Sequence, residues 1–252
     1  MKLFDALNIS GNEIVALVGG GGKTTTMFAL GREARDRGLK TVLTTTTRIY
    51  SPDDPELAVA ATRDSRELFS IIRSKLTSHA TVVAGAELGS DNKLTGLDPH
   101  LIPGILDTGA NLVIVEADGA ARKPFKAPAS HEPVIPDAST VVIPVVGVDC
   151  LGWPLHPDYV HRPEIAAKLS GINLGDMVTA EVVARVLTHP LGFLKGLPPN
   201  SRWIPLINKV ETDRALEQAR EIARLVGKIM PCRVLIGAVG GTNPVVELLD
   251  FN

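Results

Sequence analysis

The sequence predicts an α/β protein, a doubly wound and mostly parallel sheet with helices on both faces. Three observations carry that expectation. Short β-rich runs alternate with segments of helical spacing along the whole chain. Most of those β-rich runs are nearly continuous in apolar residues, as strands covered on both faces are. The first run ends in a glycine tract that opens a helix, which makes the carboxyl ends of the strands the expected ligand side.

Taken in order, the strands are read at EIVALV (Glu13 to Val18), KTVLTT (Lys40 to Thr45), ATVVAGA (Ala80 to Ala86), NLVIVEA (Asn111 to Ala117), STVVIPVVG (Ser139 to Gly147), RWIPLIN (Arg202 to Asn208) and CRVLIGAV (Cys232 to Val239). Between them, helical spacing marks Lys23 to Arg37, Ser65 to Leu76, Pro99 to Leu106, Pro163 to Leu169, Ala180 to Leu187 and Asp213 to Lys228, with a short helix expected at the C-terminus. The chain of 252 residues suits one domain with a proper core. Residues 149–200, rich in proline and without a clear strand, read as an inserted helical lobe.

Composition narrows the function classes. Apolar residues make up 44% and charged residues 21%, and a net charge of -2 gives no broad basic field for nucleic acid or an anionic membrane. Cys150 and Cys232 belong to no CxxC or Cys/His metal spacing, which fits a reducing compartment. The N-terminal MKLFDALNIS has no apolar core of a signal sequence, and no run approaches the roughly 20 residues of a membrane helix. A cytoplasmic location is the expectation.

The tract VALVGGGGKTTTMFAL, Val15 to Leu30, asks what four consecutive glycines are for. Glycine is costly to order, so bare backbone must be needed there. Strand, glycines, lysine and threonine, then helix is the layout of a phosphate-binding loop. Gly19, Gly20, Gly21 and Gly22 would let backbone N–H groups face phosphate oxygens, with the helix N-terminus adding its partial positive charge. Lys23 would reach the β- and γ-phosphates, Thr24 would coordinate Mg²⁺, and Thr25 completes the loop. In GxxxxGK[ST] the first glycine falls on position 17, here Leu17. The spacing Gly19-x-x-Gly22-Lys23-Thr24-Thr25 resembles the variant loops of Mur-type ligases, and the tract also resembles GGxGKTT loops of dimeric ATPases and G proteins of metal-insertion pathways. Those often carry a lysine where this chain has Val18. A dinucleotide fingerprint GxGxxG is broken by Thr24. The fold is therefore expected to be of P-loop NTPase type.

Other stations of a nucleotide site follow. A second magnesium anchor is needed at a neighbouring strand end, and LVIVEADGA supplies Glu116 and Asp118, two apart and hence on one face of extended backbone. Either carboxylate is a candidate, and EADG resembles the DxxG motif of GTPases with Glu in first place. TTTTRIY (Thr44 to Tyr50) is either a switch-like loop, with Arg48 offsetting charge in phosphoryl transfer, or a threonine-rich strand. In LINKVE, Asn208, Lys209 and Glu211 resemble the guanine-reading NKxD motif with Glu for Asp. The loop from Gly119 to Pro136 gathers Arg122, Lys123, Lys126 and His131, either a binding site for a second anionic substrate or a solvated loop. His156 and His161, five apart, fall on different helix faces, which argues against a metal pair.

Together GGGGKTTT, TTTTRI, EADGAARKPFKAP…HEPVIP, DCLGWPL…VHRPE and NKVE resemble the YqeC-like family, accessory proteins of selenium-dependent molybdenum hydroxylases, across nearly the whole chain. The resemblance implies a cytoplasmic P-loop NTPase linked to maturation of a molybdenum-cofactor enzyme, which would be its partner. The residues themselves point to a nucleoside triphosphate, GTP or ATP, with Mg²⁺. Three functions stay open: an NTP-hydrolysing maturation factor, an NTP-dependent transferase or Mur-like ligase acting on a small anionic substrate, and a non-hydrolysing nucleotide-binding scaffold.

Overall fold

The computed structural model describes residues 1–251. In chain order the elements are α1 (Leu3–Ala6), β1 (Glu13–Gly19), α2 (Lys23–Asp36), β2 (Thr41–Thr45), β3 (Arg48–Tyr50), β4 (Ala58–Ala61), α3 (Ser65–Lys75), β5 (Thr81–Gly85), β6 (Glu87–Leu88), β7 (Lys93–Thr95) and β8 (Leu112–Glu116). They continue with β9 (Phe125–Lys126), β10 (Val141–Gly147), β11 (Val160–His161), α4 (Pro163–Ser170), α5 (Ala180–Thr188), β12 (Arg202–Trp203), β13 (Leu206–Asn208), α6 (Asp213–Ile229), β14 (Cys232–Gly237) and β15 (Val245–Phe251).

The main sheet runs β15-β14-β13-β10-β1-β8-β2-β5-β4, with β12 beside β10. Every pair is parallel except β14 with β15. The apolar runs are the reason. β5, β8 and β10 are buried at every position, as strands sandwiched between helical layers must be. Their side chains point alternately to two cores, one holding Val113, Val115, Val142 and Val146 and the other Leu112, Ile114, Val141 and Ile143. The strand order places β1 between β8 and β10. The loop after β1 therefore opens between the ends of its two neighbours, where this architecture binds ligands.

Within residues 149–200, α4 and α5 carry buried Ala166, Val183 and Leu187 into the same core as Val142 and Val146 of the sheet. Two expectations fail. The C-terminus forms β15, antiparallel to β14, rather than a short helix. Pro99 to Leu106 gives two 3₁₀ helices, Pro99–Leu101 and Pro103–Thr108, because Pro103 has no N–H to donate to the Pro99 carbonyl and interrupts an α-helical ladder there. A three-stranded antiparallel sheet, β3-β7-β6, stands beside the ligand edge without having been foreseen. Among the described residues no helix is long and apolar enough to cross a membrane.

Candidate functional site

β1 ends at Gly19 and α2 begins at Lys23, so the glycine tract spans the gap in one tight turn. Gly21 shows why no side chain fits: its φ is +77°, and a Cβ there would lie 2.1 Å from the amide nitrogen of Gly147. The tract is packed against the protein itself. The Gly19 N–H donates to both carboxylate oxygens of Asp118 at 3.0 Å, that of Gly20 to the Val145 carbonyl at 2.8 Å, and that of Gly21 to the Lys123 carbonyl at 3.0 Å. The expectation that all these N–H groups face a phosphate is corrected accordingly. The free donors are those of the first turn of α2, which have no intrahelical acceptor and carry the positive end of the helix dipole.

Lys23 is buried and folded back on its own loop. Its Nζ donates to the Gly19 carbonyl at 2.5 Å and lies 3.2 Å from Asp118 and 3.7 Å from Glu116. The Thr24 hydroxyl donates to Glu116 Oε2 at 2.7 Å. Burial pushes the Glu116 carboxyl above its ordinary range, while Lys23 and the Thr24 hydrogen bond oppose the shift.

The two acids of EADG, expected on one face with either as the candidate metal anchor, divide. Glu116 lines the cavity beside the loop. Asp118, wholly buried, accepts the Gly19 N–H and sits 3.0 Å from Lys126 as well as beside Lys23, so its oxygens are committed to holding the loop. Lys126 is likewise buried. Its Nζ donates to Glu132 at 2.6 Å and to the Gly119 carbonyl at 2.5 Å, and Glu132 in turn accepts from Arg162 at 2.5 and 3.0 Å. Burial alone would raise the Glu132 carboxyl, but the hydrogen bonds from Arg162 and Lys126 hold it down at about 2. Lys126 is thus removed from the expected second-substrate set, because a cation enclosed by carboxylates has no donor left for a ligand. His131 is exposed and lies outside the cavity lining.

The cavity, about 450 Å³, is lined by the loop residues Gly21 to Thr25, by Arg48, Ile49, Tyr50 and Lys93, by Glu116, by Gly119 to Lys123, and by Lys209. Six of these side chains are cationic and one is acidic. Arg48, Arg122 and Lys123 are thus brought together on one cavity with the loop. Tyr50 and Lys93 were missed. Tyr50 carried a signal, since it lies two residues from Arg48 in an extended run. Lys93, in DNKLTG, carried none.

Of the NKxE residues, Asn208 is buried and acts as a brace. Its Nδ2 donates to the Gly21 carbonyl at 2.9 Å, and its Oδ1 accepts the Val239 N–H at 3.0 Å, tying the phosphate loop to the connection after β14. Lys209, at φ +67°, reaches Asp149 at 2.7 Å on the cavity rim. Glu211 is exposed and does not line the cavity.

Comparison with known proteins gives the following. Residues 15–164 match the sequence model of a family described as YqeC protein. The protein YqeC of Escherichia coli (strain K12) is 29% identical over 208 residues, covering 82% of this chain and 80% of that one. Among solved structures, the signal recognition particle receptor FtsY from Elizabethkingia anophelis is similar at 14% identity and a TM-score of 0.31, covering 91% of this chain and 50% of that chain. FtsY from Mycoplasma mycoides is similar at 11% identity and a TM-score of 0.30, covering 98% and 67%. The chain spans about half the length of the first of these. Likenesses at that score add nothing to the strand order described above.

Proposed function

The chain belongs to the YqeC family, and from that premise we propose that it binds a nucleoside triphosphate with Mg²⁺ at Gly19 to Thr25 and hydrolyses it as an accessory factor for a molybdenum-cofactor enzyme. One observation carries the nucleotide reading. The first turn of α2, the Thr24–Glu116 pair and six cationic side chains converge on a single cavity.

The residues fit a hard cation shared with phosphate. Thr24 and Glu116 offer two oxygens 2.7 Å apart, and among the described residues no group of three or more His, Cys, Asp or Glu gathers to cage a metal unaided. Mg²⁺ is commonly held in this way, by one or two protein oxygens, water and substrate phosphates. Bound there, it would neutralise charge on the β- and γ-phosphate oxygens. Lys23, now turned to Gly19 and Asp118, has its ammonium where a phosphate oxygen can replace the Gly19 carbonyl as acceptor. Arg48, on the exposed face of β3 and 3.6 Å from Asp91, would offset charge developing on the transferred phosphoryl group. The base would lie toward Lys209 and Glu211, and an acid there favours guanine, whose N1 and N2 donate, over adenine.

A second reading, transfer of a phosphoryl group to a small anionic substrate, is favoured by the lining cations to which the nucleotide gives no role, Lys93, Arg122 and Lys123. Phosphate release measured with ATP, GTP and CTP separates the two. Release with protein and Mg²⁺ alone supports hydrolysis, release only with a small-molecule extract supports transfer, and none with either leaves a binding scaffold.

A further inference from the structure

One wall of the cavity is built by the small antiparallel sheet, through Arg48, Ile49, Tyr50 and Lys93, and the nucleotide reading gives no role to Tyr50 or Lys93. In β3 exposure alternates, with Arg48 and Tyr50 outward and Ile49 buried, so the two outward side chains share one face. β7 runs antiparallel to β3 and sets Lys93 directly opposite Tyr50. Lys93 Nζ lies 4.9 Å from the centre of the tyrosine ring, and Arg122 Cζ, from the segment after β8, lies 5.3 Å from it. Tyr50 itself is 50% exposed.

Arg122 is held there against its own backbone preference. Ala121 and Arg122 have φ of +46° and +59°, successive left-handed residues of a kind that persists only where neighbouring contacts enforce it. Those contacts are present. The Lys123 carbonyl accepts the Gly21 N–H at 3.0 Å and the Pro124 carbonyl accepts the Gly147 N–H at 2.9 Å, which fastens the loop to the phosphate loop and to β10. Arg48 and Lys93 share Asp91 at 3.6 and 3.2 Å, whereas Arg122 has no carboxylate partner among the described residues.

We infer that Tyr50, Arg122, Arg48 and Lys93 form a second ligand subsite for a small molecule in which a planar ring carries a phosphate or carboxylate. The ring lies against Tyr50 and the flat guanidinium of Arg122, both of which stack on π systems. The anionic group sits between Arg48 and Lys93 as a charge-assisted acceptor. This placement rests on the nucleotide reading above. Lys23 and Thr24 take the β- and γ-phosphates, the Thr24–Glu116 pair marks the metal side, and the chain from Glu116 to Arg122 then runs along the γ end. The base points the other way, toward Lys209, so the Tyr50 end lies beyond the γ-phosphate and is free for a different molecule.

Phenyl phosphate joins the two features of this ligand class, and inorganic phosphate and phenol each supply one. The full chain has two tyrosines, and Tyr159, stacked on Trp153 at 4.3 Å, serves as the internal control for ring proton signals. With the loop filled by Mg²⁺ and a β,γ-imido nucleotide, phenyl phosphate is expected to shift the Tyr50 signals saturably and to bind about tenfold more tightly than either half-ligand. Tyr50→Ala and Arg122→Gln should each weaken it by about tenfold, Tyr50→Phe should keep it, and imido-nucleotide affinity should stay unchanged in Tyr50→Ala. Phenyl phosphate binding no tighter than inorganic phosphate, or equal binding by Tyr50→Ala, overturns the inference. The titration is repeated without nucleotide. Tyr50-dependent binding there, in a protein that binds no nucleotide, upholds the subsite and overturns only the nucleotide reading. Nucleotide binding without Tyr50-dependent phenyl phosphate binding does the reverse.

Discussion

Lys126 and Arg122 stand four positions apart in sequence, yet they belong to different kinds of site. Lys126 is fully buried among Asp118, Glu132 and the Gly119 carbonyl. Arg122 is exposed on the cavity wall, with its guanidinium beside the Tyr50 ring and no carboxylate partner among the described residues. The first cation is spent on the protein, because removing it from water is tolerable only with every donor satisfied. The second is available to a ligand. The same division runs through the acids: Asp118 clamps the glycine loop from behind, and Glu116 meets Thr24 at the cavity. A basic cluster in sequence is thus two clusters in space, one that holds the loop in shape and one that faces what the loop binds.

Substitution separates the halves most sharply. Lys126→Ala leaves Asp118 and Glu132 without their shared cation and should cost about 3–5 kcal/mol of stability, whereas Arg122→Ala should stay within about 0.5 kcal/mol of the parent. Urea denaturation of both variants checks this, and equal losses would erase the distinction. A smaller effect is expected at the brace. Asn208→Ala removes the donor to Gly21 and the acceptor for Val239, and should cost about 1–3 kcal/mol.

The buried half also has an acid limit. The Glu132 carboxyl is held at about 2, below its ordinary 4.5, so its contribution is complete above about pH 4.5 and is lost as the pH falls through 2. Glu132→Gln should therefore be less stable at neutral pH and show a shallower fall in stability on acidification, followed by thermal unfolding from pH 6 downward. A parallel fall in both proteins would mean that Glu132 does not set the acid limit. The slightest effect belongs to the base. Glu211→Ala should reduce a GTP over ATP preference by only about two- to fivefold, since Glu211 is exposed and a solvated acid discriminates weakly. Competition binding with both nucleotides measures it, and an unchanged ratio places the base elsewhere.

What was legible in the sequence was what local pattern decides. The central strands are continuous apolar runs, and Gly-Lys-Thr between strand and helix has few other uses, so β1, the loop and α2 were placed correctly. What was missed depends on partners remote in the chain. AVAA of β4 has small residues with little strand preference and is a strand because β5 lies beside it. VVELLDF of β15 is ambiguous between helix and strand until β14 offers an edge to pair with. β3, β6 and β7 are too short for periodicity to speak, which is why Lys93 went unseen opposite Tyr50. The burial of Lys126 was equally hidden, because its carboxylate partners approach from residues 118 and 132 by folding alone.

Everything proposed for the cavity depends on the loop at the head of α2 holding a magnesium nucleotide through Lys23. Equilibrium binding of ATP and GTP to the wild type and to Lys23→Ala, with Mg²⁺ and with the metal chelated, measures it directly. Mg²⁺-dependent binding is expected of the wild type, with a loss of about a hundredfold or more in the variant, roughly the 3 kcal/mol of a charge-assisted contact to phosphate. Circular dichroism should remain unchanged. Equal affinity of the two proteins, or a folded wild type that binds neither nucleotide, would contradict it.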